Sequence, residues 1–189
     1  MAVKTFTTGE VLTAADTNTY LANAGLVYIK TATVTNATDS GTAFRSIFTS
    51  TYDAYRIVCH TLAAATNGAL PRMLFYYSTS TEQATTYYSA VTNSIYNGTS
   101  NLTSVNNGAY IGLGAATDNL GLSGFSIDIL QVGSSGRGSV LIQYNDAYNG
   151  SWASGGGLVA TTRTYDGIKF FMSTGNVSMT ATVYGYRKG

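Results

Sequence analysis

Charge is the scarcest thing in this sequence. Asp, Glu, Lys and Arg together make up 10% of its 189 residues, ten basic against nine acidic, for a net charge of +1. An ordinary globular domain carries about a quarter. No basic stripe is available to neutralise phosphates, which argues against a nucleic-acid partner. Cys59 is the only cysteine, so no internal disulfide can form and zinc sites of several cysteines are excluded. Nowhere is there an apolar run of the ~18 residues that a spanning helix needs, so no membrane insertion is expected. The N-terminus does not read as a secretory signal. Lys4 is its only early charge, and Thr5-Phe6-Thr7-Thr8-Gly9-Glu10 has no apolar core, so synthesis in a cytoplasm is expected.

What remains is Thr, Ser, Asn, 21 glycines and 15 tyrosines, a surface that hydrogen-bonds without strong fields. Such a surface suits close packing in an assembly, or contact with neutral sugars. Residues 1–25 differ from the rest. Thr13-Ala14-Ala15-Asp16 has the capping-box spacing, with Asp in place of the usual Glu or Gln. Helix-compatible residues follow to Ala24, and Gly25 is a natural stop. A helix of about three turns is marginal alone in water. Its apolar side chains are too few for a core, so we expect an arm that docks on another surface through Leu12, Tyr20 and Leu21.

From Leu26 the helix signal vanishes, and residues 26–189 are expected to form one all-β domain, a jelly-roll-like β-sandwich. Short β-branched and aromatic segments alternate with Gly, Asn, Ser and Asp. The pattern predicts strands near 26–35, 43–49, 54–62, 70–78, 85–96, 108–113, 122–132, 138–145, 158–163, 166–172 and 177–186. Period two is clearest in Phe125-Ser126-Ile127-Asp128-Ile129 and in residues 177–183, where one face is apolar and the other hydroxylated. Pro71, the single proline, falls at a strand start, where a missing N–H is tolerated. The Gly-rich stretches 133–138 and 154–157 read as loops.

Chemistry is sparse. His60 is the only histidine, and strand alternation puts it on the opposite face from Cys59, a poor arrangement for a nucleophilic pair. A half-buried strand histidine and a small core thiol are the readings that follow. Asp53, Asp118, Asp146 and Asp166 fall at turns or strand ends, where a carboxylate satisfies backbone N–H groups. A glycosidase pair among them, or a Ca²⁺ site at Asp146, has no supporting spacing. Gly112-Leu113-Gly114 lacks the third glycine and the helix of a dinucleotide fingerprint. We therefore expect no catalytic residue, no metal and no cofactor. The stretch from Asn145 to Trp152 holds the only tryptophan, and we read it as a loop. There Asp146, Tyr148, Asn149 and Trp152 combine aromatic faces with side chains suited to sugar hydroxyls, and are candidate glycan or receptor contacts. The alternative is that Trp152 fills the end of the sandwich or a subunit contact.

Two stretches carry a resemblance. Residues 4–21, Lys4-Thr5-Phe6-Thr7-Thr8-Gly9-Glu10-Val11-Leu12-Thr13-Ala14-Ala15-Asp16-Thr17-Asn18-Thr19-Tyr20-Leu21, resemble an N-terminal segment of tailed-phage structural proteins. Residues 173–187 are similar to the closing strands of phage fibre-type β domains, and Tyr52-Asp53-Ala54-Tyr55-Arg56-Ile57-Val58 to a strand found early in them. The resemblance covers about a third of the chain. It implies a virion location, a jelly-roll-like domain assembled as a homotrimer, and an N-terminal arm held by another virion protein. A tail-fibre or appendage subunit that contacts the host surface is one expectation. A capsid decoration protein docked on the major capsid protein is the other; a third reading, from a different class and not implied by the resemblance, is a small glycan-degrading enzyme.

Overall fold

The computed structural model describes residues 7–11, 13, 25–78, 81–133, 135–147 and 149–187. The expected helix of the arm, with Leu12, Tyr20 and Leu21, lies outside them, as does Tyr148. The described residues form strands β1 (Leu26–Ala37), β2 (Tyr52–Ala64), β3 (Pro71–Tyr77), β4 (Thr81–Glu82), β5 (Tyr87–Ile95) and β6 (Ser100–Gly108). They continue with β7 (Ile111–Gly112), β8 (Ser123–Leu130), β9 (Ser139–Asp146), β10 (Ser151–Val159), β11 (Gly167–Met172) and β12 (Val177–Arg187).

An antiparallel sheet of eight strands runs in the order β1-β12-β2-β8-β9-β10-β5-β6. A smaller sheet runs β11-β3-β4, with β7 also paired to β3, and the two are arranged as a sandwich. The strands form for the reason their alternation suggests. Phe125, Ile127 and Ile129 are buried, as are Val177, Met179, Ala181 and Val183. The opposite face of β12 holds hydroxyls, and Thr180 and Thr182 bond Thr33 and Thr31 across the β1–β12 ladder at 3.1 and 2.9 Å. Ile57, Ile127 and Ile142 of the large sheet share one core with Met73, Phe75, Ile168 and Phe170 of the small one. Phe75 is its aromatic centre, with ring centroids 5.0 Å from Tyr165 and 6.4 Å from both Phe48 and Tyr87. Pro71 opens β3, as its missing N–H requires.

Three of the expected strands and loops differ here, each for a physical reason. The stretch 43–49 is not a strand. Gly41 and Ser46 adopt φ of 51° and 53°, which break the extended backbone, while Phe44, Ile47 and Phe48 still reach the core. Its apolar spacing reflects burial in a turn that lies against β11, where Ile168 N–H donates to Phe44 O at 3.1 Å. The expected strand 108–113 shrinks to Ile111–Gly112, and the polar Ser100–Gly108 forms an edge strand instead, because pairing with β5 satisfies its backbone. The third is β10. Gly155, Gly156 and Gly157, which read as a loop, lie inside the large sheet between β9 and β5. They are glycines because the neighbouring strands leave no room there. A Cβ on Gly155 would stand 2.2 Å from Ala90 O.

Candidate functional site

β9 and β10 form a hairpin, so the stretch expected as a loop is two strand ends and a short turn. The Asp146 carboxylate stabilises that turn by accepting the Asn149 N–H at 3.2 Å and a bond from the Asn149 side-chain amide. Gly150 takes φ 58°, which the turn needs. Asp146 points into the sandwich and is buried, opposite Ser123 on β8 and Ser151 on β10. Trp152 follows Ser151 and therefore points the other way, with 54% of its surface exposed. The candidate contacts are thus split. Asp146 is a turn brace inside the fold, Asn149 sits on the turn, and Trp152 stands on the outer face.

Beneath the turn lies a polar network that closes this end of the domain. Burial raises the pKa of Asp118, but the Ser123 hydroxyl at 2.8 Å and the Leu120 N–H at 2.5 Å outweigh it and hold the carboxyl below its ordinary value. Tyr144, pushed up to about 12 by burial, shares a hydrogen bond of 3.0 Å with Thr117. Among the described residues no three His, Cys, Asp or Glu side chains converge as metal ligands would.

On the outer face, Trp152 and His60 flank a groove of about 440 Å³ that also touches Ser126, Gln143 and Asn145. Gly124 lines the groove between them, where β2 approaches closely. A Cβ there would meet Cys59 O at 2.8 Å. His60 is exposed rather than half-buried, since alternation along β2 turns it outward, and its Nε2 lies 3.3 Å from the Thr182 hydroxyl. Cys59 is on the buried face, its Sγ–H donating to Thr61 O at 3.1 Å. The separation of the two side chains expected from alternation is what the strand displays.

Next to the groove the face turns apolar. Leu130, Leu158 and Tyr88 fall in one cross-strand row with Ser139, and Leu141, 59% exposed, stands in the next row opposite Gly156. Gly156 and Ala90 keep the surface between these side chains low. Across the outward positions of β8, β9, β10, β5 and β6 the single charge is Asp128. Arg56 on β2 pairs with it through Nε at 2.7 Å and Nη2 at 2.6 Å, and Tyr186 OH donates to it at 3.0 Å. The guanidinium hydrogen bonds hold the Asp128 carboxyl below its ordinary range. Sequence alone does not assemble this face, because a loop reading of 145–152 and 154–157, with a strand only from 158, leaves out most of the strand that joins Leu141 and Leu130 to Tyr88.

Comparison with protein-family models, with curated proteins and with solved structures gives no match.

Proposed function

We propose that this chain is a non-enzymatic structural subunit of a tailed-phage virion, a tail-fibre or appendage protein. Residues 1–25 dock it on a neighbouring virion protein, and the β domain assembles as a homotrimer that contacts the host surface. The observation that carries the reading is the outer face of the large sheet. It is broad, its two charges, Arg56 and Asp128, pair with each other, and it exposes Leu130, Leu141, Leu158 and Tyr88 together. A neutral face can meet copies of itself without like-charge repulsion, and its apolar row gains from burial. The jelly-roll reading has support in the strand order. The β2–β12 pair lies in the large sheet and the β3–β11 pair in the small one, so two antiparallel strands cross between sheets together, as a jelly roll winds.

Leu141→Asp tests the assembly. It adds a charge to the middle of the apolar face on a side chain that the single chain leaves exposed, so thermal melting of the monomer should hardly move. Sedimentation should shift from trimer to monomer, because three desolvated carboxylates would meet at the interface. A parent protein that sediments only as monomer at high concentration would remove the trimer from the reading.

The arm is tested on the particle. The described core runs from Phe44 to Val183, so a chain starting at Leu26 should fold and melt close to the full-length protein. Particles assembled with that shortened chain should lack it, whereas particles with the full chain should carry it in a few copies on the tail. A stoichiometry near that of the major capsid protein would make it a decoration protein instead. Failure of the shortened chain to fold would place the arm in the core.

A further inference from the structure

A second cavity, of about 540 Å³, opens on the inner side of the β5–β6 hairpin, at the end of the sandwich closed by the β9–β10 turn. Its walls are amides. Asn93 and Asn101 face each other in register on β5 and β6, Asn149 comes from the turn, and Asn67 from the connection between β2 and β3. Thr103 and Ser151 add hydroxyls, while Leu70 and Ile95 add aliphatic surface, and no side chain lining it is charged.

Two of these groups are left unpaired by the protein. Asn93 is 8% exposed and Ser151 7%. The Asn93 Nδ2 donates to Thr103 Oγ1 at 2.9 Å, but its Oδ1 has no hydrogen-bond partner, and neither has Ser151 Oγ. Native folds rarely leave a buried polar atom in that state. Both residues line the cavity, and both atoms are shut off from water as they stand. The χ2 torsion of Asn93 is a broad two-fold well, so its amide can exchange its oxygen and nitrogen ends to meet a ligand in the cavity it lines.

We propose that this cavity binds a neutral saccharide, a mono- or disaccharide unit of a larger glycan. Each sugar hydroxyl both donates and accepts, and each asparagine offers one group of each kind at a fixed spacing. The absence of charge in the lining disfavours a phosphate, a carboxylate or a metal ion. The volume falls within the range of about 300–1,000 Å³ typical of small-molecule sites. Leu70 and Ile95 suit the C–H face of a sugar ring. The cavity also lies on the opposite side of the large sheet from Trp152 and Leu141, so assembly through the outer face leaves it open. The inference rests on the attachment reading only for the source of the sugar.

The test is a titration of the purified full-length chain with glucose, galactose and N-acetylglucosamine and their disaccharides. It is followed by NMR of the asparagine side-chain amides, with glucuronate and inorganic phosphate as charged comparisons. Saturable shifts with at least one neutral sugar are expected. Asn93→Ala and Asn101→Ala should each bind about tenfold more weakly, the loss of one good hydrogen bond. Asn101 is exposed, so its variant decides the matter if Asn93→Ala does not fold. The proposal is overturned by any of three results. These are no saturable shift with any neutral sugar, tighter binding of glucuronate or phosphate, or loss of binding in Trp152→Ala with retention in Asn101→Ala. A chain that binds sugar yet is missing from the particle sinks the attachment reading alone. A chain on the particle that binds no sugar sinks this inference alone.

Discussion

Gly155→Ala should leave little or no folded, soluble protein. The strand around it is regular, and Gly155 pairs with Val91 on β5 and Ile142 on β9. Its added methyl would lie 2.2 Å from Ala90 O and 2.7 Å from Val91 Cα. Both are backbone atoms of the paired strand, so no side chain can rotate away. The clash ends only if β5 and β10 separate, which breaks their ladder in the middle of the sheet. Overpacking a core usually costs about 1–3 kcal/mol where side chains can adjust. With backbone in the way the cost should exceed that range, against a total stability of about 5–15 kcal/mol for a domain. Soluble yield and thermal melting measure it. Ser154→Ala, one residue earlier and on the outer face, should melt as the parent does. A Gly155→Ala protein with the parent's melting temperature would show that β10 does not sit between β9 and β5.

Cys59 should be nearly inert to thiol reagents in the native protein and react freely in denaturant. Its side chain is 4% exposed, and burial raises the thiol from 9.0 to about 12. A thiol with that pKa is ionised to about one part in ten thousand at pH 8, and only the thiolate attacks. Native labelling by a disulfide reagent should therefore run more than about a thousandfold slower than labelling in guanidinium. The same shift makes stability depend on pH. The folded-state pKa lies above the unfolded one, so the contribution is complete below pH 9.0 and is lost as the pH rises towards 12. Labelling within minutes at pH 8 without denaturant would mean that β2 is turned the other way or opens readily.

That orientation was legible in advance. Cys59 and His60 are neighbours on a strand, and alternation alone sends them to opposite faces. The same rule sorted Phe125, Ile127 and Ile129 from Ser126 and Asp128, because one face of β8 is packed and the other wet. Trp152 and Asp146 obey it too, yet a loop carries no parity, so a loop reading of the residues between them hides their separation. The hairpin assigns each strand end a parity, and only the pairing of Asp146 with Ser151 shows which face each side chain takes.

Residue pattern along the chain is enough for the all-β class, the inward and outward faces of the clearest strands and the strand start at Pro71. These follow from local rules, since period two and the chemistry of proline act over a few neighbouring residues. Tertiary structure alone decided that Gly155, Gly156 and Gly157 are strand rather than loop, that Ser100–Gly108 is an edge strand and that residues 43–49 are a turn. It also decided that Asn93 meets Asn101 over one cavity while Trp152 meets His60 over a groove on the other face. Each depends on which distant strand lies alongside. A glycine is tolerated or required according to the backbone beside it, and a polar strand holds only where a partner takes its hydrogen bonds.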